Sequence, residues 1–221
     1  MSVQAVRTAI PVLDLGPFLA GVAGSLATTA ERLRDALEHV GCFCIVNHGV
    51  SWPLVHEIFA EARRFHALPL DDKLALTMSK HDPDVINDVP LRGLNQWPAN
   101  LPGFRDRLRE YFATMEAFCT RLLPLYARAL RLPDDFFAEP FRQAQISLRL
   151  SHYPRVPAED DQFGLSPHTD AGFMTLLPDN DVPGLEIRPA GWEWVPAPHG
   201  DSLVWFMQRN YHGATEEARR P

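Results

Sequence analysis

After Gln143 the sequence changes from a helical period to a strand period, and that change decides the fold class. Ile146, Leu148 and Leu150 alternate with Ser147, Arg149 and Ser151, the two-residue period of a half-buried strand. Short apolar runs follow at residues 173–177, 185–188, 192–195 and 202–206, each bounded by Gly, Pro or Asp. Closely spaced strands divided by turn signals read as an antiparallel sandwich or barrel.

Before residue 143 the pattern is different. Ile10-Pro-Val-Leu-Asp-Leu15 is a short apolar segment with Pro at its edge, suited to an outer strand. Thr28 with Glu31 three residues on forms a capping box, and Leu33, Ala36, Leu37 and Val40 recur at helical spacing, which predicts a helix over 29–40 ended by Gly41. Cys42-Phe-Cys-Ile-Val46 then has the length and composition of a buried strand. His48 falls in the next turn, where it reads as a turn histidine rather than a metal ligand. Ser51 starts a second helix with Pro53 in its first turn, its apolar face made by Leu54, Val55, Ile58, Ala62 and Phe65, with His56 and His66 on the polar or boundary side. Pro83, Pro90, Pro98 and Pro102 make residues 81–103 irregular; Arg92, Asn95, Gln96 and Trp97 there either face a substrate or anchor the loop. A long helix follows over 105–132, with Leu108, Phe112, Met115, Leu122, Leu123, Tyr126 and Leu130 as its core stripe and Pro124 as a kink. The expected class is α+β, helices first and strands second.

Within the strand half, His168 and Asp170 stand two apart. On an extended chain their side chains project from one face, about 6.5–7 Å apart along the strand. Taken alone the tripeptide is common and reads more readily as a surface His and Asp in a polar turn. With a second imidazole from elsewhere, the pair makes a two-His-one-carboxylate facial triad, which leaves positions open on Fe(II). Tyr153 continues the Arg149 side of its strand, so a cation and a phenol share a face.

The net charge of −7 leaves no basic excess to neutralise phosphates, which argues against a nucleic-acid or anionic-membrane partner. No run approaches the roughly 20 apolar residues of a membrane span, and the N-terminus lacks an apolar leader core. The three cysteines, Cys42, Cys44 and Cys119, are odd in number and in apolar or helical contexts, as for buried thiols in a reducing, cytoplasmic setting.

Several stretches together resemble the isopenicillin-N-synthase-like, 2-oxoglutarate-Fe(II)-dependent dioxygenase superfamily. Ile10-Pro-Val-Leu-Asp-Leu15, Gly41-Cys-Phe-Cys-Ile-Val-Asn-His-Gly-Val50 and Phe65-His-Ala-Leu-Pro-Leu-Asp-Asp-Lys73 are similar to its N-terminal region. Leu148-Arg-Leu-Ser-His-Tyr-Pro154 and Leu165-Ser-Pro-His-Thr-Asp-Ala-Gly-Phe-Met-Thr-Leu-Leu177 resemble the start of its core, and Pro183-Gly-Leu-Glu-Ile-Arg188 and Trp192-Glu-Trp-Val-Pro196 the strands that follow. The resemblance implies a double-stranded β-helix (jelly-roll) core in which His168 and Asp170, with a distal His, hold Fe(II). It implies 2-oxoglutarate as co-substrate, with Tyr153 bonding one of its carboxylates and Arg149 in support, and oxidation of a small organic molecule by O2. The organisation expected is an N-terminal region over 1–104, a supporting helix over 105–142, the core over 143–206 and a divergent polar tail over 207–221.

The tail departs from the family pattern. His212 stands closer to Asp170 than the family's distal His does, His199 lies in a turn before the last strand, and no Arg-x-Ser follows Asp170. The expectation is a core incomplete at its C-terminal strands, with weak iron binding and exposed strand edges. Two alternatives follow: an inactive relative kept as a binding module or without function, and an oxidase of the same superfamily that does not use 2-oxoglutarate. Substrate and oligomeric state are not legible.

Overall fold

The computed structural model describes residues 10–69, 78, 79, 95, 97–157, 163–170, 172–180, 182–189, 191, 193–197 and 202–206. In chain order the elements are β1 (Val12–Asp14), α1 (Gly16–Leu19), α2 (Ser25–His39), β2 (Cys42–Val46), α3 (Trp52–His66), β3 (Met78–Ser79), α4 (Phe104–Ala129), β4 (Ser147–Leu148), β5 (Thr175–Pro178), β6 (Glu186–Ile187), β7 (Val195–Pro196) and β8 (Leu203–Phe206). Among the described residues the helices end at Ala129 and β4 to β8 follow, while β1, β2 and β3 stand among the helices, so the fold is α+β with the strands not confined to the second half. The chain divides into two compact units: Met1–Gly49 with Leu123–Phe136 and Pro167–Pro221, and Val50–Leu122 with Phe137–Ser166.

The first unit is built on a four-stranded sheet in the order β1-β2-β8-β5. β1 runs parallel to β2, β8 antiparallel to β2, and β5 antiparallel to β8. β1 is therefore an end strand, where Pro11 beside it costs no ladder bond. Cys42-Phe-Cys-Ile-Val46 lies inside the sheet, and its first four residues are buried on both faces. One face carries Cys42, Cys44 and Val204, packed with Ile10 against Ile187, Val195 and Ala197 of the β6–β7 hairpin. The opposite face carries the row Leu13, Ile45 and Leu203, whose register partners run straight across three strands. Helix α2 lies against β1 and β2. That double cover explains why the strand reads as an unbroken apolar run instead of an alternation.

Two local expectations change. Thr28 does not cap α2; the helix starts at Ser25, because Gly24 takes a left-handed φ of 80° and turns the chain in one helical turn earlier. Thr28 Oγ1 instead donates back to the Gly24 carbonyl at 3.3 Å. Leu130 is not in the core stripe of α4 and is exposed. Arg131, at φ 60°, stops the helix, with its own N–H on the Arg128 carbonyl and the Leu132 N–H on the Ala127 carbonyl. That is the paired bonding of a Schellman end, here with Arg in the place usually held by Gly. Arg34 closes the same end by donating from Nε to the Ala129 carbonyl at 2.7 Å, a cation at the negative end of the helix dipole. The helix runs on through Pro124 without a break.

In the second unit α3 follows Ser51, with Pro53 in the first turn and Leu54, Val55, Ile58 and Phe65 buried. Phe65 stacks on Phe104 with ring centres 5.5 Å apart, and His66 stacks on His152 at 5.1 Å. Trp97 meets Phe104 edge-on at 6.3 Å and takes the Arg105 guanidinium over its ring at 5.9 Å, which gives it the loop-anchoring role. Arg92 and Gln96 lie outside the described residues. β3 pairs with β4, Met78 with Leu148 and Ser79 with Ser147. Ile146, Leu148 and Leu150 are less exposed than Ser147, Arg149 and Ser151, the alternation read from the sequence. Among the described residues no helix is long and apolar enough to cross a membrane.

Candidate active site

His168 and Asp170 sit on the approach to β5. The expectation of an extended strand is not met there: residues 163–170 take irregular backbone, and the strand begins only at Thr175. Pro167 immediately before His168 removes a ladder donor, and Gly172 just after Asp170 weakens the extended run. The irregular path brings the side chains together. His168 Nε2 stands 3.4 Å from Asp170 Oδ1, with the imidazole half exposed and the carboxylate 27% exposed.

Downstream the segment is pinned. Phe173 packs on the wholly buried ring of Tyr126, centres 4.8 Å apart, and Thr175 to Pro178 pair residue by residue with Phe206 to Leu203. The donor pair thus rests on a segment whose position is set by a core aromatic contact and a sheet register.

An imidazole nitrogen and a carboxylate oxygen, both open to solvent, form a donor set a transition-metal ion accepts. Two donors each about 2.1 Å from one ion and at right angles to each other stand about 3.0 Å apart. The observed 3.4 Å needs only a few tenths of an ångström of closure, well within reach of two exposed side chains. The pair fits two adjacent positions of a facial triad. Among the described residues no third His, Cys, Asp or Glu joins it. His199 and His212 lie outside the described residues, as does the tail 207–221. His48 is buried, 3% exposed, in the turn after β2.

Tyr153 and Arg149 belong to the second unit, and both are exposed, Tyr153 by 55%. The Tyr153 ring lies against the backbone of Gly164. A Cβ built there stands 2.6 Å from Tyr153 Cδ1 and 3.2 Å from Cε1 and Cγ. Nothing in the sequence signals this contact.

Comparison with known proteins identifies the family. Residues 10–85 match a family described as non-haem dioxygenase in morphine synthesis N-terminal, and residues 144–220 match the 2OG-Fe(II) oxygenase superfamily. The second match takes in Arg149, Tyr153, His168 and Asp170, and it runs on across 207–220, the stretch expected to diverge from the family. The chain is 28% identical to the 2-oxoglutarate-Fe(II) type oxidoreductase hxnY of Emericella nidulans, over 85% of this chain and 66% of that protein. It is 30% identical to the 2-oxoglutarate-dependent dioxygenase citB of Monascus ruber, over 86% of this chain and 70% of that one. Among solved structures, a putative 2OG-Fe(II) oxygenase family protein from Caulobacter crescentus superposes with a TM-score of 0.74 at 19% identity, covering 90% of this chain and 74% of that one. That likeness shows a shared fold. The chain spans 66%, 61% and 64% of the length of the first three curated relatives it matches.

Proposed function

The chain belongs to the 2OG-Fe(II) oxygenase superfamily, and from that membership we propose that it oxidises a small organic molecule with O2, using Fe(II) and 2-oxoglutarate. The observation that carries the reading is the His168–Asp170 donor pair at 3.4 Å, inside the residues matched to the superfamily. His168 and Asp170 would hold Fe(II), which with 2-oxoglutarate bound would supply the oxidising power for attack on a substrate C–H bond.

This chain's residues hold and orient. His168 would offer Nε2 and Asp170 would offer Oδ1 as metal donors. The single negative charge of the carboxylate partly offsets the ion's charge and leaves the other positions for exchangeable ligands. The Tyr153 phenol would donate a charge-assisted hydrogen bond to a carboxylate of 2-oxoglutarate, and the Arg149 guanidinium would add positive charge in support. His212 is the candidate third donor. No residue of the chain identifies the substrate.

The test is Fe(II)-dependent release of succinate from 2-oxoglutarate, with O2 uptake followed with and without 2-oxoglutarate. Succinate release that His168→Ala and Asp170→Ala both abolish supports the reading. O2 uptake that needs Fe(II) but not 2-oxoglutarate refutes the co-substrate, and the absence of either signal refutes the oxygenase activity. Anaerobic Fe(II) titration of His212→Ala reads the third donor separately, since loss of stoichiometric binding there assigns it.

A further inference from the structure

Tyr153 is more than half exposed and its neighbours in sequence, residues 151–157, are all exposed. A ring so placed has little core packing to fix its rotamer, and a hydroxyl that must meet one carboxylate needs a fixed ring. One contact in the structure supplies the constraint. The ring lies over Gly164, close enough that a methyl group there would stand 2.6 Å from Cδ1. Contacts between carbon atoms settle at about 3.5–4.0 Å, so the ring occupies space that only a glycine leaves open.

The backbone does not explain the glycine. Gly164 is absent from the residues with positive φ, unlike Gly21, Gly24, Gly41, Gly49, Gly103, Gly184 and Gly191. An alanine at 164 is therefore not placed in the left-handed region, and the three atoms nearest its Cβ all belong to Tyr153. The atoms met are Cδ1, Cε1 and Cγ, which belong to the rigid ring and move only as the whole side chain turns about χ1 or χ2. Because that ring is exposed, it has room to turn without disrupting a core. The substitution displaces the phenol at little cost to the fold.

We infer that Gly164 is a positioning residue: its bare backbone is the seat that holds the Tyr153 ring, and through the ring it sets the affinity for the co-substrate carboxylate. This rests on the reading of Tyr153 as a 2-oxoglutarate contact. It adds a steric requirement at a residue that does not itself touch the co-substrate.

The experiment has two readouts. The first follows the ring itself: the protein is labelled with 3-fluorotyrosine, and the 19F signal of Tyr153 is assigned by its loss in Tyr153→Phe. In Gly164→Ala that signal is expected to shift while those of Tyr111 and Tyr126 hold; an unmoved signal overturns the seat. The second is the dissociation constant of 2-oxoglutarate with Fe(II), measured anaerobically by calorimetry. Gly164→Ala and Tyr153→Phe are each expected to weaken binding roughly tenfold, the loss that accompanies one hydrogen bond to a charged group. In a Tyr153→Ala background Gly164→Ala is expected to add nothing, since no ring remains to displace. Additive losses overturn the positioning role, because Gly164 then acts without the ring. If the 19F signal moves but Tyr153→Phe binds 2-oxoglutarate as tightly as the parent, the seat stands and the assignment of Tyr153 to the co-substrate fails.

Discussion

Raising the pH above 9 is expected to destabilise this protein through its buried thiols, and Cys44 allows the effect to be isolated. Cys44 lies in the middle of β2, 1% exposed, paired with Val12 on one side and Val204 on the other. Burial pushes its thiol from 9.0 up to about 11, opposed by a hydrogen bond with Ser202 and helped by the negative charge of Asp179. Between those values the unfolded chain has released a proton that the folded chain still holds. The unfolded state then binds fewer protons, so stability falls with pH. The contribution is fully present below pH 9 and is lost as pH rises through about 11. A two-unit gap corresponds to about 2–3 kcal/mol at full effect, a large share of a typical domain's 5–15 kcal/mol. Cys119 behaves alike, pushed up to about 11 by burial, and burial raises Tyr111 to about 12. The assay is urea unfolding at pH 8, 9, 10 and 11 for the parent and Cys44→Ala. The variant starts lower by about 1–2 kcal/mol, for the lost sulfur and the gap it leaves. It then loses about 2 kcal/mol less between pH 8 and 11. Titrations common to both proteins cancel in the difference. Parallel curves refute the reasoning, because they require a Cys44 that ionises alike folded and unfolded.

Ile45→Ala is expected to cost about 3–4 kcal/mol in urea unfolding. Ile45 is fully buried between Leu13 and Leu203 on paired strands that cannot collapse into the gap; a loss under about 1 kcal/mol would contradict that packing. Asn47→Gly tests the Asp14 carboxyl, which the Asn47 amide at 2.9 Å and the Gly16 N–H at 2.8 Å hold below the usual carboxylate range. A lowered folded pKa stabilises above the ordinary carboxylate value and is lost as pH falls through the folded one. The stability gap between parent and Asn47→Gly is therefore expected to be present at pH 7 and to close in acid, and a gap that stays constant to pH 2 would refute it.

The parts of the fold legible in the sequence are those where one physical cause dominates. The run at 42–46 announces a strand covered on both faces, and Ile146 to Ser151 announce a half-buried one, because burial alone sets those patterns. The start of α2 was not legible. Thr28 with Glu31 satisfies the capping pattern, yet Gly24 supplies a left-handed turn that lets the helix begin at Ser25, and backbone geometry overrode side-chain chemistry. At the site, the types and spacing of His168 and Asp170 were legible, whereas their geometry was not. A strand spacing predicts side chains well apart, and the irregular path after Pro167 brings their tips to 3.4 Å. The Gly164–Tyr153 contact was invisible for a different reason: it joins two residues of irregular backbone eleven apart in sequence, and no periodicity records such a meeting.

The sheet order carries a consequence for the donor pair. β8 is hydrogen-bonded to β2 on one side and to β5 on the other, and β5 is the strand that begins five residues after Asp170. The N-terminal strands therefore extend the sheet on which the donor segment ends. Cys44 pairs with Val204, and Val204 with Leu177. Closing that sheet brings together positions some 160 residues apart in sequence, so its entropy cost is set by a long loop and its gain by the apolar rows on its two faces. β5 is short, only partly buried, and among the described strands it is held in the sheet through β8. Burial in β2, which fixes β8, thus limits how firmly the approach to β5 is held. A loss of packing at Ile45 or Cys44 is therefore expected to loosen β8 and, through its register with β5, the strand on which the donor segment ends.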